Sequence, residues 1–255
     1  HRVDRRQRQM CIRDSTEDGK VRWEEGTDWP DPINLFSYLA GATKKINFYT
    51  SVYILPARNP LRAAKEISTL ANFSNGRFSL GIGMGWMPEE FQVGEQAFRM
   101  RGKRADEMIE VMKKLWTGDM HSFDGEFYNY EPLEMLPKPN HKIPILVGGF
   151  SKPAIRRAAQ HDGWVSDLHS LEELEALIKK IKQERQEKNQ TGEYQIIAFS
   201  CWDAFSADGF KKMQELGVTT ITTYPWMLYG VMNEAPLQDK LDGLKRFSDE
   251  IINKF

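Results

Sequence analysis

Two cysteines, Cys11 and Cys201, are all that 255 residues contain, and they lie 190 positions apart. That excludes a disulfide framework and any paired-cysteine metal site, and a reducing, cytoplasmic setting is expected. Charge of one sign is missing as well. With 35 Lys and Arg against 36 Asp and Glu, the formal charge is -1, so no global field favours nucleic acid or an anionic membrane. The most apolar runs, such as residues 143–150, fall far short of the roughly 18 to 20 residues that span a bilayer. No Gly-x-Ser-x-Gly elbow is present, and His121, His141, His161 and His169 form neither a helical metal-binding pair nor a nucleophile motif. Each histidine is expected on the surface or in a loop. The partner class that survives these exclusions is a small molecule, with no metal.

The chain begins with His1, and five arginines fall within its first thirteen positions. The segment lacks the apolar stretch of a signal peptide, and Asp4 and Asp14 argue against a transit sequence. Residues 1–20 are expected to be a disordered or non-native leader rather than a basic nucleic-acid arm.

From Asp31 onward, strand-like runs alternate with amphipathic helices, the order of parallel strands joined by helical crossovers. Strands are expected over 46–55, 77–83, 143–149, 163–167, 196–202 and 219–224. Asn59 and Pro60 cap and start a helix whose face is Leu61, Ala64, Ile67, Leu70 and Ala71. Ala105, Met108, Ile109, Met112 and Leu115 make a second stripe, and Ser170 with Glu173 forms a capping box ahead of a third. A further helix should run from Ser206 to Gly217, and a last one should present Leu237, Leu241, Leu244, Phe247 and Ile251. About sixty residues separate the second and third strands, too many for a simple crossover. An insertion at about 86–142 is therefore expected, with a hairpin turn at Asp124-Gly125. It has the length of a lid or a subunit contact, so a homodimer is among the expectations.

Three segments carry candidate chemistry. Glycines 81, 83 and 85 share one face of a strand. A face without side chains admits a flat ring or a phosphate to the backbone, or else a neighbouring element packs closely there. This is no dinucleotide-binding turn, because the third glycine of Gly-x-Gly-x-x-Gly is absent and Pro88 follows. Residues 143–153 run from a buried strand into Gly148, Gly149 and a capping Ser151, which suits a phosphate at a helix start or an ordinary strand-to-helix turn. Tyr49 to Pro56, taken alone, is a β-branched strand with hydroxyls.

In this order, Thr50-Ser51-Val52, Ser74-Asn75-Gly76-Arg77 leading into residues 80–86, and Pro144 to Gly149 make the chain resemble the luciferase-like monooxygenase family. Asp162-Gly163-Trp164, and Arg99 with Arg101-Gly102-Lys103-Arg104, add to the likeness, which spans roughly 31–224. The resemblance implies a (β/α)8 TIM barrel binding FMN or coenzyme F420 at the C-terminal ends of its strands. It implies that Thr50, Ser51 and Val52 form a bulged third strand, often with a non-proline cis peptide, behind the cofactor ring. Gly83 and Gly85 then match the ligand end of the fourth strand, and Gly148, Gly149, Phe150 and Ser151 the turn on the phosphate side.

With the third-strand motif appearing first, residues 21–255 are expected to be a partial barrel lacking about the first two β/α units. No counterpart is found for the acidic residue and histidine that many relatives carry after the second strand. Trp86 stands where sugar-phosphate dehydrogenase relatives have glutamate. No catalytic acid or base is assigned. The expected function is a flavin- or F420-dependent oxidoreductase acting on a small organic substrate, the alternatives being a non-catalytic flavin-binding relative, an inactive fragment, or a (β/α)8 enzyme of unrelated chemistry.

Overall fold

The expected caps at Asn59, Ser170 and Ser206 start their helices in the computed structural model, which describes residues 28–254. Cys11 and the expected leader lie outside the described residues. The chain divides into two compact units that meet in sequence between Pro144 and Ile145.

In the first unit, α1 (Pro32–Ala42) is capped by Asp31, whose side chain accepts from the Asn34 amide. Two short strands follow, β1 (Phe48–Tyr49) and β2 (Tyr53–Ile54). Helix α2 (Pro60–Ser74) starts at Asn59, which accepts from the Leu61 and Arg62 amides. It buries Ala64, Ile67, Leu70 and Ala71, while Leu61, expected on that face, is 40% exposed. Strand β3 (Phe78–Gly83) pairs in parallel with both β1 and β2. The single strand expected over 46–55 is thus two pieces. Ile46 lies outside them and is exposed, and Leu55 begins a 3-10 turn.

The Ser74-Asn75-Gly76-Arg77 motif has a structural explanation. Asn75 and Gly76 take left-handed conformations that end α2, at φ 52° and 80°. Arg77 then donates to the carbonyls of Ser74, Ile46, Ala40 and Thr43 and to the Thr43 hydroxyl, at 2.7 to 3.1 Å. One guanidinium therefore ties the end of α1 and the approach to β1 onto β3. Arg77→Ala should cost about 2 to 4 kcal/mol, since hydrogen bonds from a charged donor are worth about 1.5 to 3 each and are not additive here. Arg77→Lys should not rescue it, because a point charge cannot reproduce the fork. Urea midpoints measure both, and a wild-type midpoint for either variant would refute the assignment.

The stretch expected to be an insertion holds α3 (Pro88–Val93), α4 (Arg101–Leu115) and the antiparallel pair β4 (His121–Asp124) and β5 (Asn129–Leu133). The expected α4 stripe is buried throughout. The hairpin connection is longer than a two-residue Asp-Gly turn, with the Gly125 amide donating to the Tyr128 carbonyl. The Glu107 carboxylate on α4 accepts from the amides of Glu126, Phe127 and Tyr128, which fixes that loop.

The second unit repeats strand and helix: β6 (Ile145–Gly148), α5 (Lys152–Ala158), β7 (Gly163–Val165), α6 (Leu171–Glu187), β8 (Gln195–Phe199), α7 (Ala207–Leu216), β9 (Thr220–Thr222) and α8 (Leu237–Glu250). Strands β6 to β9 lie side by side in chain order and all pair in parallel. The central residues of β6, β7 and β8 are buried on both faces, which is why they read as continuous apolar runs, whereas Ile221 of β9 is only half-buried between threonines. The Ser170–Glu173 capping box opens α6, and α7 runs from a Ser206 cap to Gly217 at φ 101°. The expected α8 face is corrected: Phe247 and Ile251 are buried, but Leu237, Leu241 and Leu244 are exposed. The helix turns Gly243 inward instead, where a Cβ would sit 2.8 Å from Trp226 Cβ. That close approach rotates the stripe away from the one its leucines suggested.

Candidate cofactor site

Tyr49 pairs with Ser79 and Tyr53 with Ile82, so three residues, 50–52, span the length of two, 80 and 81. This one-residue excess is a β-bulge, a device that ends pairing and re-aims side chains. The Thr50 hydroxyl, on a buried residue, donates to the Gly81 carbonyl at 2.7 Å. The Ser51–Val52 peptide is cis. Ser51 is exposed and Val52 half-buried between the two stretches that pair with β3.

The glycine run does not present a bare face. A Cβ on Gly83 would land on Val52 Cγ2 and lie 3.3 Å from Ile54 Cδ1. One on Gly85, at φ 72°, would lie 2.7 Å from Phe91 and 2.8 Å from Ile54 Cγ2. The space cleared by the glycines is therefore filled by neighbouring side chains, the close-packing alternative, and Gly83 acts by seating Val52. The Gly85 carbonyl accepts from Arg101 Nε at 2.9 Å, and the Arg101 guanidinium lies 3.9 Å from the centre of the Phe98 ring. Trp86 is 43% exposed just beyond.

In the second unit, Gly148 ends β6, and Gly149 turns the chain at φ 102°, with only Ala154 Cβ within reach of an added Cβ. Phe150 follows with 58% of its surface exposed. Ser151 caps α5, its hydroxyl accepting from the Ala154 amide at 3.4 Å. At seven residues, α5 has a weaker dipole than the sequence suggested, so the amides of the turn are the firmer feature for an anion. Asp162-Gly163-Trp164 braces this turn from β7. Asp162 accepts from the Ile145 amide at 2.9 Å, and the buried Trp164 donates from Nε1 to the Gly149 carbonyl at 2.9 Å. Gly163 permits this approach, since a Cβ there would lie 2.5 Å from the Gln195 carbonyl.

His169, expected at the surface or in a loop, lies on the loop after β7 but has a side chain only 12% exposed. Its Nδ1 is 3.9 Å from Glu173 Oε2, and its ring meets Phe150 edge to face at 5.6 Å. Nε2 is buried with no hydrogen-bond partner among the described residues. Burial holds the imidazole pKa below the usual histidine value, against the opposing pull of Asp167 and Glu173. The sequence signal was position alone: the residue falls just past a strand, where a parallel α/β sheet binds ligands. Cys201 is buried, and burial, with Asp203 adding to it, pushes its thiol up to about 11, so it is a protonated core group. Among the described residues no group of three or more His, Cys, Asp or Glu could hold a metal ion, and no helix is long and apolar enough to cross a membrane.

The model of the luciferase-like monooxygenase family matches residues 17–202. The chain belongs to this family. An uncharacterized protein of Mycobacterium tuberculosis strain H37Rv is 36% identical over 240 residues, covering 94% of this chain and 83% of that one. The FMNH2-dependent dimethylsulfone monooxygenase of Pseudomonas fluorescens is 30% identical over 158 residues, 60% of this chain and 43% of that one. Among solved structures, the coenzyme F420-dependent tetrahydromethanopterin reductase of Methanopyrus kandleri superposes with a TM-score of 0.70 at 15% identity, covering 89% of this chain and 88% of that one. The fold is accordingly the α/β fold of the luciferase-like TIM-barrel class. In this luciferase-like chain the bulge at 50–52 follows β1 and precedes the last paired residues of β2 and β3, and the turn at 148–151 stands at the C-terminal end of β6; (β/α)8 enzymes carry their ligands at C-terminal strand ends.

Proposed function

We propose that this luciferase-like protein is an FMN- or F420-dependent oxidoreductase acting on a small organic substrate. The observation that carries the reading is the one-residue bulge at 50–52, locked by the Thr50 hydroxyl and seated on Gly83. Such a feature frees an apolar side chain, Val52, and a hydroxyl, Ser51, from the regular ladder, one residue before the last paired residues of β2. The residues assigned to the ring are Thr50, Ser51, Val52, Gly83 and Gly85. Thr50 and the two glycines act by positioning Val52 and Ile54. Gly148, Gly149, Phe150 and Ser151 are assigned to the phosphate side. They fit that role because Gly149 turns the backbone at φ 102°, where a side chain would be strained, and the Ser151 hydroxyl is already spent on capping, so amides rather than that hydroxyl are the donors left for an anion. Either cofactor would supply the redox chemistry, hydride transfer for F420 and hydride or oxygen chemistry for FMN, while the chain binds, orients and excludes water.

The relatives support both cofactors without choosing, since one is named for FMNH2 and the other for F420. Titrating the protein with FMN, reduced FMN and F420, followed by cofactor absorbance and fluorescence, decides between them. Saturable binding of one at micromolar concentration is the expected result. Binding of none would sink the reading.

A further inference from the structure

Buried polar atoms in folded proteins almost always have a partner, so an orphan at a ligand-bearing strand end asks for one. His169 Nε2 is such an atom. The loop that carries it is held firmly. The His169 carbonyl accepts from the Trp202 amide at 3.4 Å, and Asp203 accepts from the Leu171 amide at 2.9 Å. The next residue, Ser170, opens the α6 capping box, in which Glu173 Oε2 accepts from the Ser170 amide at 2.9 Å. That carboxylate also lies 3.9 Å from Nδ1. Nε2 has no such neighbour among the described residues, and the ring packed edge to face against the imidazole belongs to Phe150 of the 148–151 turn. Phe150 is more than half exposed, so it can change rotamer quickly and at little cost.

We propose that His169 is a phosphate-binding residue of the cofactor site: with the Phe150 ring swung aside, Nε2–H donates to a phosphate oxygen of the bound cofactor. The inference rests on the function proposed above, and the chemistry it names, a phosphate ester on a ring cofactor, is common to FMN and F420. In the ligand-free protein burial favours the neutral form of the ring. The charged groups acting on it are Asp167 and Glu173. From the β8 loop, Asp203 is engaged with the Leu171 amide, and the turn before α5 contributes the apolar Phe150. An arriving phosphate adds negative charge, so the imidazole takes up a proton as the complex forms.

The test compares FMN with riboflavin, which lacks the phosphate, on the wild type, His169→Ala and His169→Gln; F420 replaces FMN should only F420 bind, with its phosphate-free deazaflavin core as the control. Wild-type protein should prefer the phosphorylated form at least tenfold near pH 6.5. That preference should shrink as pH rises from 7 to 9, where the phosphate is already fully ionised and only the imidazolium is lost. His169→Ala should cut it at least fivefold, leaving the remainder to the turn amides and Lys152. His169→Gln should recover part of it without the pH dependence. In the wild type, the His169 ring nitrogen resonances should move to the imidazolium position on adding FMN and stay fixed on adding riboflavin. Circular dichroism checks that each variant is folded. Equal preference in wild type and His169→Ala, or unmoved ring resonances in a protein that binds FMN, overturns this inference alone. Failure of the wild type to bind either cofactor overturns the proposed function and this inference with it.

Discussion

Replacing Gly83 by valine should weaken ring-cofactor binding at least tenfold and lower stability by about 1 to 3 kcal/mol, the usual cost of overpacking a filled core. The reason is local and specific. Every residue of β3 from Leu80 to Gly83 is buried, and the first atom added to Gly83 would coincide with Val52 Cγ2. Either β3 or the bulge must move. The bulge is the softer element, because Val52 is only half-buried and 50–52 lie outside the ladder. Displacing it turns Ser51 and Val52 away from the positions they hold at the strand end. A double-mutant cycle checks the cause: Val52→Ala should restore much of the stability of Gly83→Ala, with a coupling energy above about 0.5 kcal/mol. Additive effects would show that Gly83 does not seat Val52.

A second large effect is expected at Trp164, which is fully buried and holds the 148–151 turn through the Gly149 carbonyl. Trp164→Ala should cost about 3 to 5 kcal/mol, as large-to-small changes of a buried aromatic do. Trp164→Phe keeps most of the packing but deletes the Nε1–H donor, so it should cost about 1 kcal/mol. Its main consequence should be functional. With the Gly149 carbonyl released, the turn loses its fixed geometry, and cofactor affinity should fall several-fold at a thermal midpoint close to that of the wild type. Calorimetric melts and cofactor titrations on both variants separate the two roles. An unchanged affinity in Trp164→Phe would mean that the turn is held by other contacts.

Features that depend on neighbours a few residues away in the chain are legible in the amino-acid order itself. Asn59 with Pro60, Ser170 with Glu173, and Ser206 with Gly217 bound their helices as expected, because a cap is made by a side chain and the amides two or three residues on. The parallel strands are legible for a related reason: burial on both faces demands a continuous apolar run. Asp162-Gly163-Trp164 is legible only as a pattern. That its members grip the start of β6, admit Gln195 and hold Gly149 depends on three separate strands meeting.

What the sequence by itself determined here is the order of strands and helices, their capped ends, and the family motifs that place 50–52 and 148–151 at strand termini. Tertiary structure alone decided what stands opposite each of them. The glycines cleared space, but only the pairing of β2 with β3 put Val52, Ile54 and Phe91 into it. The leucines of α8 looked like a buried stripe, yet the approach of Gly243 to Trp226 turned that stripe outward. His169 looked like an ordinary loop residue, and its edge-to-face contact with Phe150 arises from two loops that are separate in the chain and adjacent in space. Periodicity records whether a side chain prefers water or the core. The partner that meets it is set by packing between distant segments.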